Sequence, residues 1–176
     1  DYAIAVQTLV GDDETRLLLA FAERYRFLAG VVGWVDLANP GIADDIARLQ
    51  SGPGGRFLVA VRHKQHDEPD PEWINRSDVQ RGLAAVGHAG LVYEFLVRSR
   101  ELEACTRTAA AFPGVRFVVE HIGKPDIRTA EMGRWAEGME ALAGFPNVYC
   151  KLSGMVTEGD IDSWTVDDLR PYVSRV

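Results

Sequence analysis

Runs of apolar and β-branched residues recur six times along the chain, at 4–10, 30–35, 56–62, 91–96, 115–120 and 148–152. Several are apolar almost throughout, without the alternation of a sheet that faces water on one side. That pattern predicts strands covered on both faces. Between them lie amphipathic stretches of helical period, at 14–25, 42–50, 79–87, 101–112, 131–143 and 167–173. Strand then helix, repeated, marks βα units around a parallel sheet, so the fold class is α/β. One marker per strand (Val6, Val32, Val59, Val92, Val118, Tyr149) recurs every 26 to 33 residues, the length of one such unit. The units share no sequence similarity, so the architecture repeats without copied modules. Six units fit either a complete open sheet or most of an eight-stranded barrel of about 250 residues.

The punctuation agrees with this division. Asp12 and Asp13 are placed to cap the first helix, Asp78 precedes the third, and Thr165 with Asp168 reads as a capping box at the last. Gly30, Gly90 and Gly114, with Pro113 and Pro146, mark returns from helix to strand.

Composition narrows the class without choosing a function. The 176 residues carry a net charge of −7 and are 47% hydrophobic and 26% charged, the balance of an ordinary globular chain with a sizeable core. The length suggests one domain over residues 1–176. Excess acid repels phosphate backbones and anionic lipid, which argues against nucleic acid and membrane surfaces as partners and for small molecules. The longest apolar run, 27–35, ends at Asp36, well short of the roughly 20 residues of a membrane helix. Cys105 and Cys150 fit neither a disulfide framework nor a paired metal spacing, which suits a reducing, cytoplasmic setting. Asn75-Arg76-Ser77 matches a glycosylation acceptor by chance in a chain that opens without a secretory signal.

Ionisable residues gather at the carboxyl ends of the predicted strands. Arg62 and His63 end the third, Tyr93 and Glu94 interrupt the fourth, His121 ends the fifth and Lys151 lies near the end of the sixth. Parallel α/β sheets and barrels both collect ligand-binding groups at that rim. Acid, base and carbonyl-polarising groups meeting there suit a hydrolytic or lyase site. Each residue also has a structural alternative. His121 can hold a loop carbonyl, Arg62 can pair with a loop acid, and His63, on the opposite strand face from Arg62, can pack beneath the helices. Glu94 in an apolar run needs a partner or a solvated cleft and can pair with Lys151 or Arg62, and Lys151, sharing a face with Tyr149 and Ser153, can form a buried Lys-Glu pair. His63 and His66 have the spacing of a helical metal pair on a segment that is not helical, and the four tryptophans read as packing. No phosphate-binding loop, dinucleotide fingerprint or G-x-S-x-G elbow occurs.

Several stretches together resemble one family. VVGWVDL (31–37), VRH (61–63), HDEPDPEW (66–73), FVVEHIGKPDI (117–127), NVYCKLSGMVTE (147–158) and SWTVDDLRPYV (163–173) are similar to the amidohydrolase-related metal-dependent hydrolases, in particular their L-fuconolactonase and L-rhamnono-lactonase-like branch. The resemblance implies a (β/α)8 TIM barrel, here incomplete, with strands 2 to 7 present and strands 1 and 8 missing. A His-x-His pair on the first strand and an aspartate on the last, both expected of the family, have no counterpart here. His121 matches the central histidine, a metal ligand in metal-using relatives and a carbonyl-polarising group in metal-free lactonases. By the same resemblance, His121, Arg62 and Lys151 are catalytic, and His63, Glu94 and Lys124 bind substrate. A divalent metal such as zinc is the implied cofactor, with His121 as its ligand, and a sugar-acid lactone is the substrate, opened by activated water. A metal-dependent decarboxylase or another hydrolase of the superfamily is the alternative within enzymes, and a non-catalytic binding protein on a βα scaffold is the alternative outside them. The chain by itself is expected to be inactive, and its outer strands, as unpaired edges, predict a homo-oligomer.

Overall fold

The computed structural model describes all residues from Asp1 to Val176. Six strands alternate with six helices: β1 (Ala3–Val6), α1 (Asp12–Arg24), β2 (Leu28–Gly33), α2 (Ile42–Ser51), β3 (Leu58–His63), α3 (Ser77–His88), β4 (Val92–Phe95), α4 (Leu102–Ala111), β5 (Phe117–Val119), α5 (Gly133–Ala143), β6 (Val148–Cys150) and α6 (Val166–Val173). The strands neighbour one another in sequence order, β1-β2-β3-β4-β5-β6, and the pairs β1·β2, β2·β3 and β5·β6 are parallel. This is the expected α/β alternation, with every strand followed by its helix. No helix is long and apolar enough to cross a membrane.

Contacts divide the chain into two compact units. The first comprises residues 1–63, 76–94 and 114–116; the second comprises 64–75, 95–113 and 117–176. In the first, α1 buries Leu19 and Ala22, α2 buries Ile42, Ile46 and Leu49, and α3 buries Val79, Leu83 and Val86. These three- and four-residue spacings are why the segments are helical: each puts one apolar stripe against the sheet. Gly82 lets α3 touch the Leu37 carbonyl, where a Cβ would stand 2.2 Å from the oxygen. In the second unit, Phe95 stacks on Phe117 with ring centroids 4.7 Å apart, among Leu102, Cys105, Ile122 and Leu142. Trp135 is buried there as well, and its Nε1 donates to the Ile122 carbonyl at 2.6 Å.

Five of the strands are shorter than their apolar runs, and β2, at Leu28–Gly33, keeps its length but starts two residues earlier. β1 ends at Val6 because Thr8 and Leu9 turn to donate their N–H groups to the Glu14 carboxylate at 2.7 and 2.6 Å. β3 starts at Leu58, after a 3-10 turn at Gly55–Phe57. Asp12 and Asp13 do not cap α1. Its N-cap is Gly11, without a side-chain bond, and Asp12 pairs instead with Arg16 one turn on. Three acidic residues in the first turn still favour the helix dipole. α3 begins at Ser77, so Asp78 lies inside it, accepting from the Val79 N–H. The box at α6 forms as expected, with Thr165 and Asp168 bonding each other's backbone.

Candidate functional site

The predicted site residues fall into two clusters, one in each unit. In the first unit, Arg62 at the end of β3 is buried, and its guanidinium donates to the backbone carbonyl of Gln7 just past β1. Gln7 Nε2 returns a bond to the Arg62 carbonyl at 3.4 Å. The neighbouring His63 points to the opposite strand face, where its Nδ1 accepts from Trp34 Nε1 at 3.2 Å. Glu94 is buried on β4 beside the fully buried Tyr93. Gln7 was not singled out from the sequence. A polar residue interrupting an apolar run was the available signal.

In the second unit, β5 and β6 run in parallel register, Phe117 opposite Val148 and Val119 opposite Cys150. The pairing continues past both strands, with Lys151 N–H donating to the Val119 carbonyl at 3.0 Å and Ile122 N–H to the Lys151 carbonyl at 3.1 Å. The carboxyl ends of the two strands are thereby clamped side by side. β5 then turns sharply: His121 (φ 52, ψ 41) and Ile122 (φ 50, ψ 30) adopt left-handed backbone, followed by Gly123 and Lys124. Such a conformation is unfavourable by about 1–3 kcal/mol per non-glycine residue, most of all for a β-branched one. The tertiary contacts on both sides hold it.

The turn lines up four side chains. Lys151 Nζ donates to Glu120 Oε1 at 2.8 Å, and Glu120 Oε2 lies 3.0 Å from His121 Nε2. On the other side of the ring, His121 Nδ1 lies 2.9 Å from Ser153 Oγ. Gly154, at φ +65, sits against the imidazole so closely that a Cβ there would stand 2.5 Å from Nδ1. The Glu120 carboxylate is almost fully buried, while His121 keeps 29% of its side chain in solvent. The array therefore runs from a buried carboxylate to an open rim. Glu120 was missed in the sequence, although an acid in an apolar run beside a histidine signals a buried carboxylate in need of a cation.

Lys124 belongs to a second network next in the chain. Its Nζ donates to Glu158 Oε1 at 2.9 Å, and Arg98 donates to Glu158 Oε2 at 2.6 Å. Burial alone would raise the Glu158 carboxyl, and the hydrogen bonds from Lys124 and Arg98 outweigh it, holding it below its ordinary value. The Arg128 N–H also donates to the Glu158 carbonyl, so this one residue ties the loop after β6 to the loop after β5.

His66 does not act as a metal partner to His63. Its Nδ1 lies 3.1 Å from the Leu96 carbonyl and its Nε2 is 3.4 Å from Asp67. No group of three His, Cys, Asp or Glu gathers as a metal-holding set. At His121 each ring nitrogen faces a hydrogen-bonding partner, so an ion there would have to displace Ser153 or Glu120. The residues present do not fit a metal centre by themselves.

Against known proteins, the chain matches the amidohydrolase family over residues 1–176. It is 37% identical to an L-fucono-1,5-lactonase of Burkholderia ambifaria over 155 residues, 88% of this chain and 52% of that protein. It is also 37% identical to an L-fucono-1,5-lactonase of Burkholderia multivorans, covering 90% of this chain and 54% of the relative. The chain thus spans about half the length of the curated relatives it matches. Crystal structures of an amidohydrolase from Burkholderia multivorans, one with bound HEPES and one with bound zinc, superpose over 99% of this chain with a TM-score of 0.89 at 34% identity. They are covered to 62% and 61% of their own length. The fold is accordingly that of a partial TIM barrel.

Proposed function

Because the chain belongs to the amidohydrolase family, we propose that it forms part of the catalytic domain of a hydrolase that opens a sugar-acid lactone, L-fucono-1,5-lactone or a close relative. The observation that carries this is the Lys151–Glu120–His121 array at the clamped ends of β5 and β6, in a chain 37% identical to two lactonases. Ring opening needs a donor at the carbonyl oxygen as water adds, and a proton for the leaving ring oxygen. His121 supplies the first in its protonated form: Glu120 beside Nε2 favours the cationic ring, whose Nδ1–H then donates to the developing oxyanion. Within the same unit, Lys151 orients a substrate oxygen and Lys124 contacts the sugar. The water-activating base is assigned to the part of the relatives' length that these residues do not span. A divalent ion such as the zinc bound in the Burkholderia multivorans amidohydrolase would require His121 to leave Ser153 or Glu120 and the remaining ligands to come from that same part. Two free cysteines suit a reducing cytoplasm.

The test is His121→Ala in the natural gene product that carries these residues. Loss of an oxyanion-stabilising group is expected to lower kcat for lactone hydrolysis at least about 100-fold with the fold intact. A rate within a few-fold of the unaltered protein rejects the assignment.

A further inference from the structure

The Ser153–His121–Glu120 array has a chemistry that carbonyl polarisation by His121 does not use. An ionised carboxylate only accepts hydrogen bonds, so Glu120 draws the imidazole N–H to Nε2 at 3.0 Å. Lys151 Nζ, 2.8 Å from the other carboxylate oxygen, keeps that charge in place. The Nδ1 lone pair is then directed at the Ser153 hydroxyl 2.9 Å away. A hydroxyl hydrogen-bonded to a base, itself oriented by a buried acid, is the arrangement that turns a serine into a nucleophile. The chain order and the ring nitrogens differ from those of the familiar proteases, but the roles depend on geometry alone. Two further features keep the pieces in contact. His121 is held in left-handed backbone, and Gly154 leaves room for the ring where any side chain would collide with it. His121 and Ser153 both retain solvent exposure, so an ester can reach them.

The geometry points to Ser153 as an acyl-accepting nucleophile, giving residues 1–176 an esterase-type activity toward small activated esters. In the first step Ser153 Oγ bonds to the ester carbonyl carbon while its proton passes to His121 Nδ1. The bond to the leaving oxygen then breaks, and the alcohol departs with that proton. Water next adds to the acyl carbon, giving a proton to His121, and the Oγ–acyl bond breaks as the proton returns to Oγ. Ester and water become acid and alcohol, with no other reactant. Glu120 acts through His121 as a positioning residue. This activity stands apart from lactone opening, since it needs no group outside the second unit.

The probe is phenylmethylsulfonyl fluoride, which reports the first step alone: Oγ displaces fluoride at sulfur and the proton leaves through His121. Incubated with the chain and followed by intact mass and peptide mapping, it is expected to give one adduct, on Ser153. His121→Gln and Gly154→Ala are each expected to slow labelling at least about 100-fold, the usual contribution of a positioned base, with circular dichroism unchanged. Glu120→Gln is expected to slow labelling while leaving the melting temperature within the range of the other variants. Should a variant unfold, the position and rate of labelling in the unaltered chain, compared with Ser153→Ala, still decide. No adduct at Ser153, or one that forms equally fast in folded His121→Gln, overturns the proposal. Neither result depends on lactone turnover, so the lactonase assignment and this one fail separately.

Discussion

Replacing Glu158 by Gln removes one charge from the clamp on the loop after β6 and keeps its shape. The carboxylate is 7% exposed and receives Lys124 at 2.9 Å and Arg98 at 2.6 Å. The Arg98 arm is 48% exposed, and an ion pair so open to water contributes at most about 1 kcal/mol. The Lys124 arm is 16% exposed, and a charged hydrogen bond in such a place contributes about 1.5–3 kcal/mol. The amide oxygen of the variant recovers part of both, so the net loss is about 2 kcal/mol. For a chain of this length that is a fall in Tm of about 4–8 °C, read by calorimetry. The pH dependence carries a sign. Burial would raise the Glu158 carboxyl, but Lys124 and Arg98 hold it below the ordinary 4.5. A depressed carboxyl stabilises the folded state above its unfolded pKa, and that contribution is lost as pH falls toward the folded value. The difference in Tm between the two proteins is therefore constant near neutrality and shrinks as pH falls below the ordinary 4.5. Equal melting at neutral pH, or a gap that widens on acidification, refutes the reasoning.

Phe117→Ala removes a fully buried ring stacked on Phe95 and is expected to cost about 3–5 kcal/mol in urea unfolding; a loss under about 1 kcal/mol contradicts the packing described. Cys150 is exposed while Cys105 is buried, so a thiol-alkylating reagent should label Cys150 in the folded chain, and labelling of Cys105 before Cys150 refutes it. Burial pushes the Cys105 thiol up, and the same reagent should leave it unmodified until the chain unfolds. β1 and β6 are the outer strands of the sheet and expose Ile4 and Tyr149. Light scattering on residues 1–176 is expected to give a mass above the 19.4 kDa monomer, and a stable monomer argues against association through these edges.

The order of elements was readable because hydrophobic period and strand spacing are local properties, and each of the six predicted strands and helices has its counterpart. Their ends were less readable. β1 stops at Val6 because Glu14, later in the chain, takes the Thr8 and Leu9 amides, and the N-cap of α1 is Gly11 although two aspartates stood ready. The strand-end positions of Arg62, His121 and Lys151 followed from the same periodicity, whereas their partners did not. Gln7 across from Arg62 and Glu158 between Lys124 and Arg98 are defined by register and by loop contacts up to 60 residues apart, which no local pattern encodes, whereas Glu120 stood next to His121 in the sequence. The left-handed turn at His121 and Ile122 was likewise hidden, since a β-branched residue such as Ile122 rarely adopts that backbone.

The most direct test of the lactonase account is to present L-fucono-1,5-lactone and other sugar-acid lactones to the natural gene product carrying these residues and to follow proton release. Saturable turnover of at least one such lactone, far above its spontaneous hydrolysis, is the predicted result. Release no faster than in buffer for every lactone, from folded protein supplied with and without zinc, contradicts it.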